Sequence, residues 1–247
     1  IGASTEKAPI AMHKPPQHAA EIRYVGTGIQ ESFALHAIDF LQGDNAIDHL
    51  HFHDCMEIGC CLEGNGIFSI GGDIQAYGAG DVSVITAGRC HLAQSSENST
   101  SRWRFLFAAP APLLKEHFAN PRYLQTGPFQ SMGIIPRSDN RDVRELADLV
   151  VHISDEVLQK REGYQEAARG LFWTLMVRLH RLAGALPGAA HDGAHQELER
   201  IAPALQYMND HYPEEMRVGD LADTCHYSEN HFRRLFRQAT GRLPMRY

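Results

Sequence analysis

The sequence has no long hydrophobic run, and no window approaches the roughly 20 apolar residues that a membrane-spanning helix needs. Its first twenty residues lack a basic segment followed by an apolar one, so we expect no secretory signal. Cysteine is sparse and shows no C-x-x-C spacing, which argues against a disulfide framework and for a reducing compartment. We therefore expect a cytoplasmic protein with no membrane contact. Its five cysteines are Cys55, Cys60, Cys61, Cys90 and Cys225.

Composition and charge narrow the class of protein further. The chain has 247 residues, 43% of them hydrophobic and 21% charged, which suits a globular protein of two modest domains. Its net charge of −7 would ordinarily argue against a nucleic-acid partner. The last twenty residues, however, contain five arginines and one acidic residue. A nucleic-acid contact is therefore expected at the C-terminal end.

Two segments of different periodicity follow the N-terminal twenty residues. Short apolar runs separated by Gly, Asn and Asp turns predict an antiparallel β-module. Helical spacing of apolar residues from Asp142 to Leu182, broken near Gly163, then predicts two amphipathic helices. A Gly/Ala-rich stretch without periodicity predicts a linker. The expected order is an N-terminal arm, a β-domain, a helical segment, a linker and a second helical domain, over residues 1–20, 21–136, 137–184, 185–196 and 197–247.

The last of these segments contains two short amphipathic helices joined by a tight turn. The first has one apolar face, formed by Val218, Leu221, Ala222 and Cys225. Ser228 is a good N-cap for the second helix, and Gly241 is suited to end it. Phe232, Leu235, Phe236 and Ala239 form the apolar face of that second helix. Its other face is polar and basic, with Glu229, Asn230, Arg233, Arg234 and Arg237.

This helix-turn-helix pattern is typical of DNA recognition, in which the second helix enters the major groove. The residue types also fit, because an Arg side chain reads guanine and an Asn carboxamide reads adenine. The alternative is a helix pair whose arginines are only solvated, since such a pattern also arises by chance.

The C-terminal segment resembles the first half of the AraC/XylS-type DNA-binding domain, over about fifty residues without a gap. One departure is His226, where the family often has Gly or Asn in the turn; His tolerates left-handed backbone geometry better than most residues. The residues that match at family spacing are Ile201, Leu205, Tyr207, His211, Tyr212, Leu221, Ala222, Ser228, Phe232, Arg234, Phe236, Thr240, Gly241, Pro244 and Tyr247.

The resemblance implies roles for residues of the second helix. By motif position, Asn230, Arg233 and Arg234 are candidate contacts to bases or phosphates, and Arg237 is a candidate phosphate contact. The family's domain carries a second helix-turn-helix, whereas this sequence stops at Tyr247, where the connecting helix would begin. We therefore expect the chain in this form to bind promoter DNA weakly or not at all, because half of the phosphate contacts would be missing.

The stretch HFHDCMEIGCCLEG resembles the first cupin motif, H-x-H-x(3)-E-x(6)-G, with His51, His53, Glu57 and Gly64 in place. Residues two apart in a strand share a face, so His51 and His53 would lie side by side, with Glu57 on the same parity. The resemblance predicts a cupin-like β-barrel with this cluster inside it.

The stretch GDVSVITAGRCH resembles the second cupin motif, with Gly80, Gly88 and His91 in place and Thr86 where the family commonly has Pro. Together the two motifs offer three imidazoles and one carboxylate, which suit a divalent metal such as zinc, nickel, iron or manganese. The alternative is that the histidines line the pocket and are satisfied by hydrogen bonds, because AraC-type sensor domains resemble cupins at these positions with or without a metal.

An effector would bind inside the barrel, where polar and aromatic residues converge. In the stretch SRWRFLF, Trp103 is the candidate stacking residue, and Arg102 or Arg104 is the candidate partner for an anionic group. Because alternate residues of a strand face opposite sides, only Trp103 or the two arginines can point inward. Packing of Trp103 in the core is the other interpretation.

These observations predict an α+β protein of two domains: a cupin-like antiparallel β-barrel with a following helical pair, then an all-α helix-turn-helix segment. The predicted function is a transcriptional regulator that binds promoter DNA and senses a small-molecule effector. The helical pair is a candidate for homodimer formation, or for packing against the barrel, and the N-terminal arm either closes over the pocket or is a disordered tail. The rival prediction is a metal-dependent cupin enzyme of the dioxygenase or isomerase type with a helical tail.

Overall fold

The computed structural model describes residues 21–30, 32–45, 49–114, 116, 120–137, 141–185, 200–201, 203–205, 207–208, 216–240 and 243–246. The predicted arm over residues 1–20 and almost all of the predicted linker lie outside the described residues, as does Gly241. Within the described ranges, β-strands occupy the N-terminal half and helices the remainder, as the sequence predicts.

Ten strands form two five-stranded sheets in the described part of the chain. Their bounds are β1 Glu21–Tyr24, β2 Leu35–Gln42, β3 His49–Phe52, β4 Met56–Glu63, β5 Asn65–Ile70, β6 Asp73–Gly78, β7 Val82–Ile85, β8 His91–Ser95, β9 Ser101–Ala108 and β10 Ile134–Ile135. The first sheet has the order β1-β3-β8-β5-β6, and the second has the order β10-β7-β4-β9-β2.

Strand pairing follows the antiparallel prediction, with one exception at the edge of the first sheet. There β1 runs parallel to β3, with Ile22 opposite Leu50 and Tyr24 opposite Phe52. Since β2 lies between them in the sequence but belongs to the second sheet, the chain crosses over before it returns as β3. The alternation of apolar residues does not reveal this crossover, and the sequence therefore predicted only antiparallel pairs.

The two sheets enclose one apolar core. Side chains from the first sheet, such as Phe68 and Tyr77, pack against side chains from the second, such as Trp103 and Phe105. In strand β9, for example, the residues alternate between the enclosed core and the opposite face of the sheet. The predicted cupin-like barrel is confirmed.

Helices cover the outer face of the second sheet. Their bounds are α1 Pro110–Leu114, α2 Arg141–Gln159 and α3 Tyr164–Ala185, with 3-10 turns at Pro121–Leu124 and Gly127–Phe129. The helical pair is broken where it was predicted to be, at positive φ angles of 50° at Lys160 and 74° at Gly163.

The apolar stripe of α2 packs against β9, β2 and β4. The structure therefore shows this helical pair packed on the barrel, which was one of its two predicted roles. Dimer formation stays a prediction. The buried apolar residues of α2 are Val143, Leu146, Val150, Ile153 and Val157.

The C-terminal segment is helical at each described position between 200 and 208. Two further helices follow, α4 Val218–Thr224 and α5 Glu229–Thr240, and a 3-10 turn spans Pro244–Arg246. His226 adopts a φ of 57° in the turn between α4 and α5, the left-handed geometry that the sequence placed there. Among the described residues, no helix is long and apolar enough to cross a membrane.

Candidate functional site

The structure brings His51, His53, Glu57 and His91 together inside the barrel. One ligand atom from each residue lies within 4.8 Å of the other three. His51 and His91 are direct partners in the pairing of β3 with β8, and Glu57 reaches the cluster from β4 in the other sheet. His53, Glu57 and His91 are buried, and His51 is half-buried, so the cluster opens on the His51 side.

Two motif glycines shape the backbone around this cluster. Gly88 adopts a φ of 77°, and its N–H donates to the carbonyl of His53 at 2.8 Å, which ties the loop before β8 to the end of β3. Gly64 has a φ of 84°, and a Cβ at this position would lie 2.6 Å from the Thr100 carbonyl oxygen. Only glycine fits both positions without strain.

Backbone carbonyls hold two of the imidazole rings. The Nδ1 atom of His53 lies 2.7 Å from the Val25 carbonyl oxygen, and that of His91 lies 2.7 Å from the Arg89 carbonyl oxygen. A carbonyl only accepts, so both Nδ1 atoms carry the proton and both Nε2 atoms are free to act as ligands. Metal-binding histidines usually have such a partner for their other ring nitrogen.

Both Nε2 atoms point at the same carboxylate oxygen. The Nε2 atom of His53 lies 3.1 Å from Oε2 of Glu57, and that of His91 lies 3.2 Å from it. With its proton on Nδ1, His91 presents an acceptor Nε2 to this acceptor oxygen at hydrogen-bond distance, and the Nε2 of His53 is buried without a hydrogen-bond partner of adequate geometry. Two imidazole nitrogens and a carboxylate oxygen thus converge on one point, where a cation would satisfy all three.

The local electrostatics also favour a cation. Burial alone would raise the pKa of Glu57, but the adjacent His91 and His53 lower it below its ordinary value, so the carboxyl group is ionised. Burial, followed by the nearby His91, lowers the pKa of His51 to about 2, which keeps that imidazole neutral. Burial lowers the pKa of His53, but the Glu57 carboxylate outweighs it, so the net pKa of His53 is raised.

Aromatic rings surround the cluster on the inner side. The Phe107 ring lies 5.0 Å from the His53 ring, and the Phe68 ring lies 6.1 Å from the His91 ring, measured between centroids. The thiol nearest in sequence, Cys55, is buried, and burial raises its pKa to about 12. It stays protonated at neutral pH and is a poor ligand and a poor nucleophile.

The structure also places the three predicted effector residues of β9. Trp103 faces the barrel interior but has an exposed fraction of 0%, and its Nε1 donates to the Ser101 hydroxyl at 3.2 Å. Arg102 and Arg104 lie on the opposite face, where Asp39 pairs with them at 2.7 and 3.2 Å. Trp103 is therefore a core side chain, and the two arginines do not line the interior.

The second predicted site lies on α5. Phe232, Leu235 and Phe236 are buried, while Asn230, Arg233, Arg234 and Arg237 are exposed, so the helix is amphipathic as predicted. The Arg233 guanidinium lies 2.9 Å from the Glu229 carboxylate, and that of Arg234 lies 3.1 Å from Nδ1 of His231. Arg237 is in the last turn of α5.

Some parts of both sites have no signal in the sequence. The carbonyls of Val25 and Arg89 orient two histidines, but any residue type supplies a carbonyl, so no pattern could reveal them. Asp39 engages both arginines of β9 from the neighbouring strand β2, and only the strand register of the folded chain shows this contact. His231 lies beside the predicted DNA contacts, and its spacing of three from Arg234 could have revealed their contact from the sequence.

The chain combines a barrel that encloses a polar cluster with a helix-turn-helix that has a basic exposed face. This combination is typical of a ligand-responsive transcriptional regulator. Residues 21–176 match the family described as AraC-like ligand binding domain, and residues 208–247 match the bacterial regulatory helix-turn-helix proteins of the AraC family. The chain therefore belongs to the AraC family of DNA-binding transcriptional regulators, and its barrel is the effector-binding domain.

Curated relatives agree with this assignment. The chain is 26% identical to the HTH-type transcriptional activator RhaS of Citrobacter koseri, over 86% of this chain and 78% of that protein. It is 22% identical to the uncharacterized HTH-type transcriptional regulator YdeC of Bacillus subtilis, over 83% of this chain and 70% of that protein.

Two similar solved structures each cover about a third of the chain. A cupin protein from Bacteroides fragilis is 19% identical over 30% of this chain and 65% of that chain, with a TM-score of 0.28. The oxalate decarboxylase of Bacillus subtilis at pH 4.6 is 24% identical over 31% of this chain and 21% of that chain, with a TM-score of 0.28. These TM-scores are too low for the chemistry of either protein to inform the chemistry of this chain.

Proposed function

We propose that this regulator reads DNA with the exposed face of α5, through Asn230, Arg233, Arg234 and Arg237. The observation that carries the proposal is the division of α5 into a buried apolar face and an exposed face that holds these four side chains. Asn230 and Arg233 lie near the start of the helix, where recognition helices contact base edges. Arg237, one turn further, is suited to a phosphate.

The proposal predicts that removal of each of these side chains weakens DNA binding, by an amount that depends on whether the side chain contacts a phosphate or a base. Fluorescence anisotropy with a labelled duplex, over a range of low salt concentrations at which weak binding is measurable, should show a shallower salt dependence when a phosphate-contacting arginine is removed. The slope of log affinity against log salt should fall by about 0.9 for each lost contact. Substitution of Arg233 or Arg234 by Ala should cost about 1 to 3 kcal/mol on a sequence-selected duplex.

Arg141→Ala is the matched control, because it removes one positive charge from the start of α2 and leaves α5 intact. Its affinity and salt slope should equal those of the parent protein. If the control and the α5 variants lose affinity equally, the effect is one of net charge, and the assignment of these residues is wrong.

We propose further that the barrel senses its effector through a divalent metal held by His51, His53, Glu57 and His91. Two observations support this proposal. Backbone carbonyls hold the rings of His53 and His91 so that both Nε2 atoms point at the ionised carboxylate of Glu57. The Nε2 atom of His53 is buried there without a hydrogen-bond partner. Zinc, nickel, iron and manganese all accept such a set of nitrogen and oxygen ligands. A bound ion would offer Lewis-acid contact to an oxygen or nitrogen donor of the effector.

We propose that this site senses and does not catalyse. Aromatic rings are the neighbours of the cluster named above, and they offer no group for acid-base catalysis. The half-buried edge at His51 is the side from which an effector would approach. The rival is a metal-dependent enzyme of the dioxygenase or isomerase type. In such an enzyme, metal binding would not change the affinity for DNA.

Metal-dependent DNA affinity separates the two functions. Anisotropy titrations of one duplex, with and without Ni²⁺, should give different affinities for the parent protein and equal affinities for the His51→Ala/His53→Ala double variant. Equal affinities for the parent would remove the metal from the sensing function and favour the rival.

We also propose a cytoplasmic homodimer, since regulators with a helix-turn-helix bind paired half-sites with matching symmetry. Light scattering of the chain at concentrations in the tens of micromolar should give twice the monomer mass. A monomer mass under these conditions would contradict the dimer.

A further inference from the structure

An apolar stripe lies on the outer face of β1 and β3. Ile22 is the register partner of Leu50, and Tyr24 is that of Phe52, so the four side chains form two rows on one side of the sheet. The Tyr24 and Phe52 rings meet edge to face, with centroids 5.6 Å apart. We call these four residues, together with Cys90, the docking face.

Apolar residues of the helix-turn-helix segment belong to the same buried cluster as this face. Phe52 and Cys90, which are 1% and 3% exposed, belong to the same buried apolar cluster as Leu221 of α4 and Phe232 of α5. Leu205, from the helical stretch before α4, also belongs to it. The apolar core of the DNA-binding segment thus continues onto the outer face of the sensor barrel.

This contact does not cover the recognition surface. Asn230 and Arg233 stay exposed on α5 while Phe232, between them in sequence, is buried in the cluster. Docking therefore sets the position of the DNA-binding segment without blocking the side chains proposed to read DNA.

Strand β3 presents His51 of the His/Glu cluster on its other face. Successive residues of a strand point to opposite sides, so β3 directs His51 inward while Leu50 and Phe52 point outward. At the start of β8, His91 belongs to the cluster and Cys90 to the docking face. One layer of backbone separates the effector site from the contact with the DNA-binding segment.

Hydrogen bonds tie the cluster to β1 as well. The His53 ring donates to the Val25 carbonyl, and the Val25 N–H donates to the Phe52 carbonyl at 3.0 Å. Val25 directly follows Tyr24, a docking-face residue. A ligand that fixes the His53 ring therefore also fixes the end of β1 and the rows of side chains beneath the helix-turn-helix.

We propose that β1 and β3 couple the two domains: occupation of the His/Glu cluster tightens the hold of the docking face on the helix-turn-helix segment. This inference rests on the metal site of the proposed function and adds the route by which it acts. Coupling is reciprocal, so a change that loosens docking must weaken binding at the cluster by the same factor.

The test compares three forms of the whole chain: the parent, Leu50→Asp and Leu92→Asp. Leu50 neighbours His51, is half-buried and packs against the apolar cluster that joins the docking face to the helix-turn-helix segment. Leu92 neighbours His91, is also half-buried and points outward from the same sheet, but it does not belong to the apolar cluster that contains the docking face. Both variants place a carboxylate beside a cluster histidine, but only Leu50→Asp places it in the docking face. Leu50→Ala serves the same comparison if Leu50→Asp does not fold by circular dichroism.

Two readouts apply, with Ni²⁺ as the probe. Hydrogen exchange of α4 and α5 should slow on Ni²⁺ addition in the parent and in Leu92→Asp, but not in Leu50→Asp. Calorimetry should show Ni²⁺ affinity at the cluster falling about fivefold or more in Leu50→Asp relative to Leu92→Asp. The His51→Ala/His53→Ala variant identifies binding by histidines elsewhere.

The outcomes separate this inference from the one on which it rests. If the parent shows no Ni²⁺ binding beyond that of the double histidine variant, the metal site is wrong and the coupling falls with it. If all three forms bind Ni²⁺ with equal affinity and exchange equally, the metal site stands and the coupling alone is overturned.

Discussion

Trp103 provides a sharp test of whether the barrel interior is a packed core. Its ring has an exposed fraction of 0% and lies 4.8 Å from Tyr77, 5.7 Å from Phe68 and 5.2 Å from Phe105 between centroids. Trp103→Ala would remove these contacts and leave a cavity, at a cost of about 3 to 5 kcal/mol. For a chain of this size, that cost lowers the melting temperature by about 6 to 20 °C.

Trp103→Phe separates ring volume from hydrogen bonding. It keeps most of the apolar contact and loses the bond from Nε1 to the Ser101 hydroxyl, so it should cost only about 1 to 2 kcal/mol. Thermal melts followed by circular dichroism give both values. A loss below about 1 kcal/mol for Trp103→Ala would contradict the buried core and restore Trp103 as an open stacking surface.

Fluorescence gives an independent check. In the Trp173→Phe variant, Trp103 is the single tryptophan, since the chain has two. Its emission should be blue-shifted and resistant to iodide quenching because the indole is buried. Efficient quenching in the folded protein would refute the placement of Trp103.

Three further predictions follow from the packing and from the charges. Gly59→Ala should destabilise the barrel by about 1 to 3 kcal/mol, because the added Cβ would lie 2.5 Å from the Phe105 ring. Gly170→Ala, where a Cβ on α3 would meet no atom within 4 Å, should stabilise the protein by about 0.5 to 1 kcal/mol. Urea melts measure both changes, and equal effects on the free energy of unfolding would contradict the packing around Gly59. Cys55, with its pKa raised to about 12, should react with a thiol reagent at pH 8 only after unfolding, and rapid reaction of the native protein would contradict its burial. Arg237→Ala should lower the salt slope of DNA binding without changing which sequence is preferred, and an altered preference would make Arg237 a base contact.

The motif spacing predicted the cluster because parity along a strand is a local property. His51, in β3, and His53, directly after that strand, are two residues apart and share a face, whereas the register that brings His91 opposite His51 is visible only in the folded chain. The helix-turn-helix was predicted for the same reason. The 3.6-residue spacing of apolar residues and a turn residue that tolerates positive φ are both local properties of the sequence, and His226 has that geometry.

Features that depend on register or on long-range packing were not predictable. Alternation allowed either Trp103 or the two arginines of β9 to face inward, and only the pairing with Asp39 on β2 decides for Trp103. The apolar stripe of α2 suited a dimer interface as well as the barrel, because a stripe does not specify what covers it. The docking face was also missed, since Leu50 and Phe52 alternate with histidines and read as ordinary strand residues.

The most direct test of the metal site is the metal content of protein purified without an affinity tag, measured by plasma mass spectrometry beside the His51→Ala/His53→Ala variant. The geometry predicts close to one divalent ion per chain in the parent and almost none in the variant. Parent protein that stays free of metal after incubation with zinc, nickel, iron and manganese, while remaining folded, would contradict the metal site and leave the four residues as hydrogen-bonded lining of the effector pocket.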